Sequence, residues 1–136
     1  MQPSPTDQPR YAHVRTLADM NYAQARERVT ATLADQGFGV LTEIDVQATL
    51  KEKLDADFRP YVILGACNPQ FAHQAFQAEP NIGVLLPCNV IVQQTEDGVV
   101  ISAMNPRAMY GMLENAELEP LMKEVDQRLQ QAIEAV

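Results

Sequence analysis

The chain has no tryptophan, only two cysteines in 136 residues, and no apolar run near the length needed to span a bilayer. Without tryptophan, the core must be filled by Leu, Val, Ile, Ala and the six methionines. Basic residues are also scarce, ten against eighteen acidic ones, and the formal charge of -8 repels a phosphate backbone or an anionic lipid surface. Neither nucleic acid nor a membrane is expected as a partner. The N-terminal stretch lacks the basic and apolar regions of a secretory signal, which predicts a cytoplasmic protein. In a reducing compartment two cysteines favour free thiols, although the sequence leaves a Cys67 to Cys88 bridge open. There is no G-x-S-x-G, no P-loop and no G-x-G-x-x-G; Gly37-Phe38-Gly39 lacks the third glycine and follows a helical pattern instead of a strand.

What is present is ordinary for a globular domain: 46% hydrophobic and 21% charged residues. At this length a single domain buries roughly 70% of its unfolded surface without staples. Three prolines among the first nine residues predict a disordered tail over 1–9, leaving residues 10–136 as one domain.

Periodicity divides that domain into elements. Tyr11 to Leu17 alternates weakly as a strand, with His13 read as a surface residue without a role. Asn21 and Gln24 have the spacing of a capping box, and Tyr22, Ala25, Val29 and Leu33 predict a helix over 21–36 stopped by Gly37. Phe38, Val40, Thr42 and Ile44 then alternate as a half-buried strand. Asp45 caps a short helix whose apolar positions are Val46, Leu50 and Leu54. Tyr61 to Ala66 is continuously apolar and predicts a central strand covered on both faces.

Asn68-Pro69 is the signature of a helix cap and first turn, and Pro80 ends that helix. Val84 to Gln94 is a second apolar run, in which Pro87 must lie at an edge, a start or a bulge. Thr95-Glu96-Asp97-Gly98 is a hairpin signal leading back through Val99 to Met104. Asn105-Pro106 repeats the cap signature and opens a short turn or helix through Met109, Tyr110 and Met112. Leu118, Leu121, Met122, Val125, Leu129 and Ile133 mark one face of a long terminal helix, whose other positions carry Glu119, Lys123, Glu124, Asp126 and Arg128. Five strands with one hairpin and no regular βαβ alternation predict an α+β fold with a mostly antiparallel five-stranded sheet packed with helices.

Both cysteines lie at the edges of the apolar runs, each followed by asparagine: Leu64-Gly65-Ala66-Cys67-Asn68-Pro69 and Leu85-Leu86-Pro87-Cys88-Asn89-Val90. Together with Gly37-Phe38-Gly39-Val40-Leu41-Thr42-Glu43-Ile44, Ala72-His73, Glu79-Pro80 and Ile82-Gly83, they resemble a prokaryotic family known only as a domain of unknown function. The resemblance runs from about Tyr11 to the C-terminus. It implies a fold similar to a single TATA-binding-protein-like repeat with extra helices, a homodimer, and no DNA binding. It supplies no activity, so function must be argued from a site.

The candidate site is the cysteine pair. If the two apolar runs are antiparallel neighbours, the end of the first and the start of the second meet. Cys67, Asn68, His73, Cys88 and Asn89 then line one pocket for a small ligand or metal. Cys67 precedes a helix start, which predicts a depressed thiol pKa and a nucleophile with His73 as base. The plainer alternative is a structural dimer whose cysteines only pack. Cys67, His73 and Cys88 form a possible metal set, but five and then fourteen intervening residues match no usual zinc spacing. The methionines read as core and interface filler in preference to copper ligands. Of the three classes, a binding module stands ahead of a thiol enzyme, because no acid close in sequence to His73 could orient it apart from Glu79 at the far end of the same helix.

Overall fold

The computed structural model describes residues 3–136; Met1 and Gln2, the start of the predicted tail, lie outside the described residues. Within the rest of that tail Asp7 turns back on Ser4, and Gln8 bonds the main chain of Val14.

The strands are β1 (Ala12–Leu17), β2 (Gly39–Asp45), β3 (Tyr61–Cys67), β4 (Cys88–Thr95) and β5 (Gly98–Met104). They form one sheet in the order β1-β5-β4-β3-β2, with every neighbouring pair antiparallel. The helices are α1 (Tyr22–Asp35), α2 (Val46–Leu54), α3 (Pro69–Ala78), α4 (Pro106–Tyr110) and α5 (Glu119–Glu134), and two short 3-10 turns follow α3 and precede α5. The α+β expectation and its antiparallel sheet are thus met.

Local chemistry explains where the elements begin and end. Asn21 and Gln24 form the capping box reciprocally, and Gly37, at φ 86, lets the chain leave α1 in the left-handed region. Asp45 accepts from the Ala48 amide to start α2, and Gly98, at φ 124, closes the hairpin between β4 and β5. Pro120 sits in the first turn of α5, where its missing amide costs nothing.

Alternation along the strands decides the layers. Val62, Leu64 and Ala66 of β3 share a face with Val90 and Val92 of β4 and Val99, Ile101 and Ala103 of β5. These residues form the core with Ala25, Val29 and Leu33 of α1 and with Val125, Leu129, Ala132 and Ile133 of α5. Each fully buried Val or Leu there contributes roughly 1.5–3 kcal/mol.

Three expectations need correction. First, β3 is not covered on both faces: Tyr61 and Ile63 on its other side remain half-buried, and the central position belongs to β4. A continuous apolar run marks two-sided burial only in parallel sheets, and this sheet is antiparallel. Second, the run from Val84 is shorter as a strand than it reads, since Pro80–Leu85 is a 3-10 turn and β4 starts at Cys88, just after the cis Leu86-Pro87 peptide. Third, Asp126, grouped with the positions off the apolar face of the last helix, points inward and is 2% exposed.

Candidate functional site

The antiparallel pairing of β3 with β4 sets Ala66 opposite Cys88, so Cys67 is one residue beyond that pair on the neighbouring strand. Gly65 makes this possible: a Cβ there would collide with Thr42 Oγ1 and stand 2.7 Å from Pro87 Cγ. Because residue 65 has no side chain, Pro87 can lie on β3 and deliver Cys88 into the sheet.

Beyond Cys67 the Asn68 Oδ1 accepts from the amides of Gln70 at 3.1 Å and Phe71 at 3.2 Å, starting α3 as its sequence predicts. The start of α3, the short α4 and the first half of α5 close over the strand ends. Between them lies a cavity of about 40 Å³ lined by Cys67, Asn68, Phe71, Ala75, Cys88, Met109, Met122, Val125 and apolar neighbours. Both thiols are free.

Burial pushes the Cys67 thiol above its ordinary pKa. Cys88 is pushed up to about 12, by burial first and by the neighbouring Cys67 second. The depressed pKa expected for Cys67 is therefore not found. The amides at the start of α3 that would have stabilised a thiolate are taken by Asn68, and nothing offsets the loss of water.

The structure thus brings Cys67, Asn68 and Cys88 to one cavity. His73 is exposed on α3 and does not line it, because the inward face of that helix is formed by Phe71, Ala72, Ala75 and Ala78. Asn89 is exposed and lines a separate open groove with Tyr11, Val84, Pro87, Met104 and Met112. Among the described residues no group of three or more His, Cys, Asp and Glu side chains could hold a metal ion.

Two features escaped the sequence reading. The first is a buried network: Asp126 on α5 meets His13 Nε2 at 2.6 Å, Gln130 Nε2 at 2.9 Å and Arg107 Nε at 3.3 Å. Its signal was present, since Asp126 is four residues after Met122 and three before Leu129, on the inner face of the helix. The second is the placement of Met109 and Met122 on the wall of the cavity that the thiols also line, for which the sequence holds no signal because α4 and α5 are distant from both cysteines along the chain.

A one-sheet α+β domain with helices on its core face and paired thiols in an apolar cavity at one end is the class that fold and site define. The chain belongs to the family described as domain of unknown function DUF302, whose model matches residues 13–136. It is similar to an uncharacterized conserved DUF302 protein from Bacillus stearothermophilus, with 28% identity over 93% of this chain and 98% of that chain and a TM-score of 0.86 between the structures. No curated protein matches. No helix among the described residues is long and apolar enough to cross a membrane.

Proposed function

We propose that the protein is a homodimeric binding module for a small ligand, taken up in the cavity between Cys67 and Cys88. The observation that carries this reading is the convergence of two free thiols on one apolar space. About 40 Å³ exceeds the roughly 10–15 Å³ that a water needs, yet an apolar lining offers a water too few partners to hold it. The favoured occupant is a small apolar or soft species.

A thiol enzyme is the weaker reading. Burial keeps Cys67 protonated, and His73 is not there to act as its base. The dimer is supported by a groove lined by the exposed Tyr11, Val84 and Met112, where no charged residue intervenes. Two copies that repel elsewhere through their acidic surfaces meet there without opposing charges.

Xenon tests the cavity without presuming its ligand. Under xenon pressure the methyl resonances of Met109 and Met122 are expected to shift, and those shifts should diminish when Ala75, also on the cavity wall, is replaced by Leu to fill it. Methyl resonances indifferent to xenon would overturn the reading.

A further inference from the structure

We infer that the cavity is a site for cuprous copper, with the Cys67 sulfur as its thiolate ligand and the thioethers of Met109 and Met122 beside it. This rests on the cavity being a ligand site, and it names the ligand.

Four lining side chains carry sulfur, two as thiols and two as thioethers, and each comes from a different element: β3, β4, α4 and α5. Among the described residues no Asp, Glu, His, Lys or Arg lines the space. The one side chain there bearing oxygen or nitrogen is Asn68, whose Oδ1 already caps α3. Magnesium and calcium require oxygen donors, so this lining rejects them. Zinc in a structural site takes four Cys or His ligands, and here there are two cysteines. Thiolates with thioethers are the donor set that selects copper in its +1 state.

Size and charge agree. A cavity of about 40 Å³ admits a bare ion and excludes a hydrated one. A cation entering alone is penalised by the apolar surroundings. Copper removes that penalty by displacing a proton: Cu⁺ and one Cys–SH give Cys–S–Cu and H⁺, with the proton lost to solvent and the copper–sulfur bond formed at its expense. No electron is transferred, because the metal arrives already reduced. The product is neutral, whereas ionising the second thiol would leave a net negative charge with no cation lining the site. Cys88 therefore stays a protonated thiol on the cavity wall and is not a ligand. Cys67, half-buried, is the side of access and gives up its proton; Cys88, 7% exposed, keeps its own.

The test is an anaerobic titration of the full chain with Cu(I) supplied as its acetonitrile complex, competed by a chromophoric bicinchoninate chelator. One ion per protomer is expected, with a near-ultraviolet thiolate-to-copper band and about one proton released per ion. Zn(II) should give no comparable uptake. Cys67→Ser, at a half-exposed position where folding is not at stake, should weaken binding by about 100-fold or more, the upper range for loss of even an outer-shell partner. The pair Met109→Leu with Met122→Leu keeps the volume and should weaken it about tenfold. No competition with the chelator, or binding unchanged in Cys67→Ser, overturns the inference. If xenon still shifts the methionine methyls in that case, the cavity remains a ligand site and only copper is lost; if both fail, the binding-module reading falls with it.

Discussion

The imidazole of His13 and the carboxylate of Asp126 meet at 2.6 Å, tying β1 at the edge of the sheet to the middle of α5 across 113 residues of chain. Asp126 is almost fully enclosed, and its two oxygens are divided between His13 on one side and Gln130 and Arg107 on the other. Removing the carboxylate leaves His13 and Gln130 without their buried acceptor, while Arg107 turns to solvent. Asp126→Ala is expected to destabilise the fold by roughly 1–3 kcal/mol, read as a lower urea midpoint at unchanged slope. Arg107→Ala, at a largely exposed guanidinium, should cost below about 1 kcal/mol. Equal losses in the two variants would contradict this account.

The thiols predict how stability changes with pH. A folded-state pKa raised above the unfolded value means that the fold favours the neutral thiol. That stabilisation is complete below the ordinary value of 9.0 and is lost as pH rises toward about 12 for Cys88. Wild-type stability should therefore fall more steeply over that interval than the stability of Cys88→Ala. Parallel curves would refute the assignment. Cys67 is also expected to react first with a disulfide reagent, being the more exposed thiol.

Gly65 is predicted to tolerate no side chain. Gly65→Ala sets a methyl group against Thr42 and Pro87, an overpacking that costs roughly 1–3 kcal/mol. It should also raise Cys88 reactivity as the strand start is pushed away. In a Thr42→Ala background part of the stability should return, because one of the two colliding groups is gone; chemical denaturation of the four variants measures the coupling.

The dimer is tested by light scattering at micromolar concentration, where twice the 15.1 kDa chain mass is expected. Val84 is 86% exposed and Met112 is 68% exposed, so Val84→Asp combined with Met112→Asp should dissociate the dimer while leaving the fold intact. A monomer in the wild type would remove the proposal.

Much of this architecture was legible from spacing. The capping residues Asn21, Asp45, Asn68 and Asn105 each accept from an amide as their positions suggested, because a cap is decided by the few residues around it. The convergence of Cys67 and Cys88 was legible as well, once the two apolar runs were taken as antiparallel neighbours. What could not be read depended on contacts between distant segments. A half-covered β3 looks like a fully covered one in sequence, since Ile63 is apolar on either face. The burial of Cys67 depends on the cavity walls that α4 and α5 supply, and His73 turns outward because Phe71, Ala72 and Ala75 take the inner face of α3. Asp126 was grouped off the apolar face because it is charged, although its spacing turns it inward; what the sequence could not show is its partner, His13 on the first strand.

Gln8 presents its side-chain amide to Val14 as a strand would, giving a hydrogen to the carbonyl at 2.8 Å and taking one from the amide at 3.2 Å. This occupies part of the outer margin of β1. At the opposite margin, β2 is irregular between Val40 and Thr42 and carries Glu43 and Asp45. An open strand margin is a template on which further chains add without limit, and both margins here are blunted, one by an amide and one by a kink and charge. Neither margin therefore offers a clean template for edge-to-edge pairing, and an exchange of Gln8 for an apolar residue would remove that protection at one side alone.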